Sequence, residues 1–313
     1  PWRKTARWAP GPCARGAGAE GGTAEGLRAL TLRAVSGRLP ACQPGAHIDL
    51  MLQNGIKRQY SLTDGPGTWK SWTIAVKREE ASRGGSRYIA DTLGEGDVVD
   101  ISEPRNTFPL RRDAKETLFI AGGIGITPLL AMARALKAGN NPFALHVFAR
   151  SDHHLPFAEA LTELAPAVMT HVGFEPAQTR QSISRVLGDY APGRQIYTCG
   201  PSAMIDTVLA VAEEQGWPDE VVHFEHFSND QDIDTSSEFD VELARSALSV
   251  RVRAGTSILS ALRKEGVDVP SACERGACGT CVATVIDGTP DHQDAYLAEG
   301  ERAANTRTGT GGA

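Results

Sequence analysis

The sequence predicts a multidomain protein: an antiparallel β-barrel, an α/β doubly wound parallel sheet, and a small α+β unit at the C-terminal end. Three observations predict this. From "LRALTLRAV" to "DVVDISEPRNTFPL" short alternating runs are separated by turn signals such as "QNGI", "DGPG" and "GEGD", and closely spaced short strands close into barrels. From Glu116 the texture changes to strand, helix, strand, helix, the alternation of a parallel sheet covered on both faces. Then "SNDQDIDTSSE" offers almost nothing to bury and reads as a linker. A chain of 313 residues is too long for one ordinary core, which agrees with several units.

In chain order, residues 1–26 are rich in Gly, Ala, Pro and Arg without period 2 or 3.6, and a poorly ordered segment is expected there. The barrel is placed at 27–110. The second domain, 111–228, pairs "TLFIAGG" with "PLLAMARALKAG", "FALHVFAR" with "PFAEALTEL", and "RQIYTCG" with "SAMIDTVLAVAEEQG", and ends on the strand "EVVHFEHF". The linker is 229–238. The third unit, 239–313, opens with two strands and a helix capped by Thr256 or Ser257.

The net charge of −6 and pI near 5.8 leave no basic excess to release counterions or meet anionic headgroups, which argues against nucleic-acid and membrane binding. Six cysteines, three of them within nine positions, do not make a disulfide framework. The N-terminal stretch has no signal-peptide succession, so a cytoplasmic location is expected. The uncharged run from Thr117 to Ala133 is broken by Gly and Pro, which suits a strand, a turn and a helix better than a membrane span.

Four stretches carry chemistry. In "FIAGGIGITPLL" a strand runs through Gly122, Gly123 and Gly125 into a helix, with Thr127 expected as N-cap and Pro128 as first helical residue. Such a turn lets backbone approach a pyrophosphate. The spacing is not G-x-G-x-x-G, and a plain turn is the alternative. "IYTCGPSAMI" delivers Cys199, Gly200, Pro201 and Met204 to the same sheet edge, the alternative being a buried Cys beside a tight turn. In the barrel, "KRQYSLTDGP" offers Arg58, Tyr60 and Ser61, and "SRGGSRYIADTL" sets Gly84, Gly85 and Ser86 before a short helix, either as an anion cradle or as a solvated loop. Finally, "CERGACGTC" places Cys273, Cys278 and Cys281 as C-x4-C-x2-C, the start of a plant-type [2Fe–2S] set. Zinc sites usually pair two C-x2-C knuckles, and one occurs here.

Barrel, nucleotide-type sheet and cysteine loop in this order resemble the phthalate dioxygenase reductase and vanillate demethylase reductase family, which supplies electrons to Rieske-type oxygenases. The match runs from about Leu27 to Asn305 and joins four motifs. The resemblance implies a ferredoxin-like (β-grasp) C-terminal domain. It implies FMN held by Arg58 near the phosphate, Tyr60 against the ring, and Ser61, Ala75, Lys77, Gly84, Gly85 and Ser86. It implies NADH bound at Gly122, Gly123, Gly125, Thr127, Cys199, Gly200, Pro201 and Met204, with Thr127 and Cys199 near the nicotinamide and Phe227 covering the flavin. Ser61, Cys199 and Phe227 would then stand at the hydride chemistry. In "ARSDHH", Arg150, Ser151 and Asp152 would meet the adenosine half. Asp152 could accept from a ribose 2′-hydroxyl, or Arg150 and the His153–His154 pair could meet a 2′-phosphate. The resemblance favours NADH over NADPH and FMN over FAD. NADH gives two electrons as hydride and a [2Fe–2S] centre takes one, so a flavin between them is the converter. A monomer that passes electrons to a Rieske-type oxygenase component is expected. The alternatives are a diaphorase without a competent cluster and a zinc-stabilised interaction module.

The chain departs from the family pattern at one place. A fourth cysteine is expected about thirty residues after Cys281. "DGTPDHQDAYLAEGERAAN" keeps the pattern, then gives way to "TRTGTGGA", with no Cys at or near Gly311. The final strand that normally follows the fourth ligand is expected to be missing, the Gly/Thr tail to carry no packing signal, and an altered or truncated reading frame to explain both. Asp291, His292 or Asp294 is the substitute ligand to consider, and an open iron site is the third reading.

Overall fold

The computed structural model of the chain describes residues 13–17 in backbone only, and 24–52, 55–65, 70–80, 84–227, 235–271, 276–277, 279–294, 296–297 and 299–311. These divide into two compact units, the first ending at Glu225 and the second beginning at His226.

Within the first unit, six strands among the described residues form an antiparallel barrel: β1 (Cys13–Ala17), β2 (Leu27–Ala34), β3 (His47–Met51), β4 (Lys57–Ser61), β5 (Trp72–Lys77) and β6 (Val98–Ile101), with α1 (Gly85–Thr92) between the last two. Their order is β4-β3-β6-β1-β2-β5. The ring closes at the Leu62–Ile74 bridge, where the Thr63 N–H donates to the Thr73 carbonyl at 3.0 Å. Alternation sends Trp72, Ile74 and Val76 of β5 inward, against Leu32, Ile48, Leu50 and Ile101, and α1 seals the core with Ile89.

The segment expected to lack order contains β1. It fills the gap between two strands, pairing Ala14 with Ala34 on β2 and with Val99 on β6. Gly and Ala show no hydropathy alternation, so the pattern gives no sign of it. What places the strand is the need of both neighbours to satisfy backbone N–H and C=O groups, a need that ignores side chains.

The same unit continues with β7 (Glu116–Gly122), α2 (Ile126–Ala138), β8 (Phe143–Ala149), α3 (Ala158–Glu163), β9 (Val168–Val172), α4 (Pro176–Leu187), β10 (Arg194–Cys199), α5 (Ser202–Glu214) and β11 (Val222–Glu225). The sheet is parallel, in the order β11-β10-β7-β8-β9. Along β7, Phe119 and Ala121 pack with α2 and α3, whereas Leu118 and Ile120 pack with α4 and α5. The chain runs outward from β7 to β9 and returns to place β10 beside β7. That reversal is a topological switch point, where the carboxyl ends of two strands open a crevice. The apolar run from Thr117 to Ala133 is thus a strand, a turn and a helix. No helix of the described residues is long and apolar enough to cross a membrane.

Barrel and parallel sheet pack together within the first unit. The Tyr197 hydroxyl on β10 donates to the Pro109 carbonyl at 3.2 Å and accepts from the Arg111 N–H at 2.9 Å, which pins the connection between them.

The second unit holds the hairpin of β12 (Phe239–Leu243) and β13 (Leu248–Val252), then α6 (Ile258–Lys264), β14 (Val282–Thr284), α7 (Glu299–Ala303) and β15 (Arg307–Gly309). Ser257 caps α6, its hydroxyl accepting from the Ser260 N–H at 3.2 Å. The tail expected to carry no packing signal forms β15, which pairs Gly309 with Val282, Thr308 with Ala283 and Arg307 with Thr284. Thr308 and Thr310 are buried. A strand needs backbone pairing and tolerates β-branched Thr well, so the Thr/Gly tail packs without an apolar pattern.

Candidate functional site

At the switch point, β7 ends in Gly122 and a 3-10 turn, Gly123–Gly125, that runs directly into α2. The helix therefore starts earlier than expected. Gly125, not Thr127, takes the N-cap position, and the Thr127 side chain is buried with its hydroxyl donating to the Ile124 carbonyl at 3.0 Å. Pro128 falls within the first helical turn, where its missing N–H costs nothing.

The glycines are there for close approach. A Cβ on Gly125 would lie 2.2 Å from the Cys199 carbonyl oxygen, and one on Gly200 would lie 2.9 Å from the Gly122 Cα. A Cβ on Gly122 would meet Pro201 Cδ at 2.6 Å and Met204 Cε at 2.8 Å. Gly122, Gly125, Gly200, Pro201 and Met204 thus make one wall from two turns. Gly123 differs: its φ of +51° is left-handed, and nothing lies within 4 Å of where its Cβ would be. Its backbone is open to a ligand. Cys199 is wholly buried, and burial together with the Glu225 carboxylate pushes its thiol well up, so it is neutral.

On the barrel side, the Arg58 side chain packs against the N-terminus of α1. A Cβ on Gly85 would lie 2.7 Å from Arg58 Nε, so only glycine admits the guanidinium there. Gly84, with φ of 93°, turns the chain into α1, and the Ser86 hydroxyl accepts from the Glu79 N–H at 3.2 Å. A guanidinium beside the first N–H groups of a helix is the donor set of a phosphate, and the cradle needs the absent Cβ. A flavin phosphate fits. Tyr60 packs on the barrel core, and burial pushes its phenol up, so it is an un-ionised aromatic surface. Ser61 and Ala75 are buried, whereas Lys77 is exposed and paired with Glu79.

The two halves adjoin. Cα atoms of β5 come within 8 Å of the Gly123–Gly125 turn, and Arg134 of α2 donates to the Thr63 carbonyl at 2.8 Å. Beyond β8, Arg150 and Asp152 are exposed, and Ser151 shares a hydrogen bond with His154 Nδ1 at 2.8 Å. The Glu25 N–H donates to the His153 carbonyl at 2.8 Å. Sequence reasoning missed Arg134 and Glu25, because their contacts join distant positions and follow no period. Phe227 is 40% exposed, two residues beyond β11.

Of the cysteine loop, Cys273 and Cys278 lie outside the described residues, and Cys281 is buried. Its carbonyl accepts from both the N–H and the hydroxyl of Thr310, at 3.2 and 2.8 Å. Asp294 is fully buried, with Oδ1 accepting from the Leu297 N–H at 2.9 Å. His292 Nδ1 is 3.6 Å from Asp294 Oδ2, and exposed Asp291 accepts from Gln293. Among the described residues no three His, Cys, Asp or Glu side chains converge on a metal.

An anion cradle beside the switch point of a parallel sheet, joined in one chain to a cysteine-loop unit, defines a modular electron-transfer oxidoreductase. Residues 241–308 match the 2Fe-2S iron-sulfur cluster binding domain, and residues 102–222 match the N-terminal domain of dimethylamine monooxygenase subunit DmmA-like proteins. The vanillate O-demethylase oxidoreductase of Acinetobacter baylyi (strain ATCC 33305 / BD413 / ADP1) is 41% identical over 268 residues, 85% of this chain and 84% of that protein. A solved phthalate dioxygenase reductase, described as a modular structure for electron transfer from pyridine nucleotides to [2Fe–2S], superposes with a TM-score of 0.74 at 34% identity, over 96% of this chain and 93% of that one. An intact type IV self-sufficient cytochrome P450 monooxygenase gives a TM-score of 0.79 at 35% identity over 96% of this chain, which spans 39% of that longer protein. The chain belongs to the phthalate dioxygenase reductase and vanillate O-demethylase oxidoreductase family.

Proposed function

We propose that this chain is the NADH-dependent reductase component of an oxygenase system, binding FMN in the barrel and passing electrons singly to a Rieske-type oxygenase. The observation that carries the reading is the juxtaposition of the Arg58–Gly85 cradle's barrel with the Gly123 turn inside one compact unit. A bound flavin takes up the two electrons of a hydride and gives them out one at a time.

The chain's own residues do the positioning. Arg58, Gly84, Gly85 and Ser86 hold a dianionic phosphate by charge and by helix-end N–H groups. Tyr60, Ser61, Ala75 and Lys77 line the strands beside it. At the switch point the Gly123 backbone and the first turn of α2 receive the pyridine nucleotide, backed by the wall of Gly122, Gly125, Gly200, Pro201 and Met204. Thr127 and Cys199 support that wall from within the core. The neutral Cys199 thiol has no thiolate character and does not compete for the nicotinamide carbon. Asp152, with Arg150 and Ser151 on its loop, accepts from the ribose 2′-hydroxyl, which selects NADH over NADPH.

One observation favours a second reading. Thr310 stands beside Cys281 where a thiolate is wanted, so a flavin reductase that serves small acceptors without a competent cluster is the competitor. Purified protein decides between them. The first reading expects FMN, NADH oxidation with ferricyanide, two irons and two acid-labile sulfides per chain, and reduction of cytochrome c or an oxygenase. Flavin without iron leaves the second. Absence of both flavin and NADH oxidation sinks the two together.

A further inference from the structure

This inference deepens the proposed function and rests on its reading of the Asp152 loop as the ribose site. That loop is built on a 3-10 turn, Asp152–His154, beyond the carboxyl end of β8. Arg150, Asp152 and His153 are exposed, so the chain around them gains little from burial and has to be held by hydrogen bonds. Two of these are internal: the His154 N–H donates to the Ser151 carbonyl at 3.0 Å, and the Leu155 N–H to the Asp152 carbonyl at 3.1 Å. The next carbonyl, that of His153, lies at the end of the turn, where helical carbonyls lose their internal partners. It accepts from the Glu25 N–H at 2.8 Å, from a distant part of the chain.

The Glu25 amide is itself fixed. The Leu27 N–H returns to the Ala24 carbonyl at 3.1 Å and Gly26 has a φ of +71°, which makes Ala24–Leu27 a type II turn with Glu25 at its first corner. The Gly26 carbonyl accepts from the Arg78 N–H at 2.9 Å, which ties the turn to the end of β5. Next to it, Arg28 Nη1 donates to the Ile89 and Ala90 carbonyls at 2.9 Å each, in the last turn of α1. The Arg78 guanidinium meets the Asp91 carboxylate of the same helix at 2.9 and 3.1 Å. The N-terminus of α1, with Arg58, is the phosphate cradle. Residues 25–28 therefore join the cradle's helix to the Asp152 loop within a few consecutive positions.

We propose that the Glu25 amide is a positioning group for the adenosine half of the pyridine nucleotide, holding the Asp152 loop at a set distance from the flavin-phosphate helix before the nucleotide arrives. The exposed Glu25 side chain takes no part. Such preorganisation is read in affinity, because the cost of ordering a binding loop is subtracted from the free energy of binding. The hydride step, at the other end of the nucleotide, is left unchanged.

The FMN-loaded full chain is titrated calorimetrically with ADP-ribose, and turnover is measured with NADH and with reduced nicotinamide mononucleotide, which lacks the adenosine half. Glu25→Pro is the deciding variant. Proline suits the first corner of a type II turn, and Ala24 before it is in extended pairing with Leu27. Its ring removes the donor and takes the place of the amide hydrogen, so the His153 carbonyl has to move away. The variant is expected to weaken ADP-ribose binding and raise KM for NADH about tenfold, the upper end of what one hydrogen bond contributes. Its kcat, mononucleotide turnover and FMN affinity are expected to stay parental. Glu25→Ala, which retains the N–H, is expected to match the parent throughout. In an Asp152→Ser background Glu25→Pro is expected to add less than about twofold, because it acts through that loop. Should Glu25→Pro fold poorly, hydrogen exchange in the parent decides: by linkage, ADP-ribose has to slow exchange at the Glu25 amide by the factor that the bond lends to binding.

Exchange at Glu25 that is indifferent to ADP-ribose, or a folded Glu25→Pro with parental ADP-ribose affinity, overturns the inference. So does a Glu25→Ala that loses as much as Glu25→Pro, or a further tenfold loss in the Asp152→Ser background. Mononucleotide turnover that falls together with NADH turnover overturns it too, because the fold and not the loop would then be disturbed. In each of these cases NADH oxidation by the parent leaves the proposed function standing. A parent that oxidises NADH without binding ADP-ribose overturns the inference alone, and one that does neither overturns both.

Discussion

Gly125→Ala tests whether the two turns at the switch point form the nucleotide's rim. The added Cβ would lie 2.2 Å from the Cys199 carbonyl oxygen, 2.4 Å from its carbon and 2.6 Å from the Gly200 nitrogen. All three are backbone atoms at the end of a central strand, so no side chain can swing aside. Bringing the closest contact to a tolerable separation spreads the turns by about 1 Å in an interior with no slack. One methyl too many in such a place costs about 1–3 kcal/mol. A displacement near 1 Å between reacting groups costs on the order of 10²-fold in rate. The expected result is a kcat/KM for NADH, with ferricyanide as acceptor, that falls about 10²-fold while FMN affinity is kept. Gly216→Ala is the control: its φ of +71° is left-handed, but nothing lies within 4 Å of its Cβ. It should lose about 1–2 kcal/mol of stability through strain and keep its kinetics. A Gly125→Ala protein that is destabilised yet retains the parental kcat/KM would refute the reasoning, because the wall would then serve the sheet and not the cofactor.

Arg58→Ala should weaken FMN binding by about 1.5–3 kcal/mol, the worth of a hydrogen bond to a charged group, and leave riboflavin binding unchanged; fluorescence titration of the apoprotein compares the two, and an equal loss for both would remove the phosphate from the cradle. Asp152→Ser should raise KM for NADH about tenfold with kcat kept, since one charge-assisted hydrogen bond is lost; an unaltered ratio of NADH to NADPH use would take Asp152 out of the ribose site. Burial first, and then Arg105, His171 and Arg111 respectively, lower His47, His146 and His223 from 6.5 to about 4. In the unfolded chain they titrate near 6.5, so between 6.5 and about 4 the unfolded state binds more protons and stability falls as pH falls. That stability is fully present above 6.5 and amounts to about 1–3 kcal/mol per histidine. Urea midpoints should drop from neutral toward acid pH by less in His146→Gln than in the parent, and equal drops would contradict the assignment.

Periodic and local features were legible in the sequence. Alternation in "WTIAVK" marks an inward row that packs as Trp72, Ile74 and Val76, and the apolar strand–helix repeats mark the parallel sheet, because burial on a sheet face or helix stripe writes its own period. The glycine turns were legible as turns. C-x4-C-x2-C was legible as the mark of a 2Fe-2S domain, which residues 241–308 match, and Ser257 as a cap, because their chemistry lies within a few residues.

Tertiary structure alone decided what depends on distant backbone. It placed β1 and β15, which have no hydropathy pattern and exist because neighbouring strands offer unpaired N–H and C=O groups. It assigned Gly122 and Gly125 to packing between two turns and left Gly123 open to a ligand, a distinction of a few ångströms that three like residues in one motif do not reveal. It moved Thr127 and Cys199 into the core, and it brought Arg58 to Gly85 and Thr310 to Cys281. Residue type and spacing determine which chemistry a chain can offer, whereas the meeting of groups far apart in sequence is set by how strands close on one another, and that is a property of the whole fold.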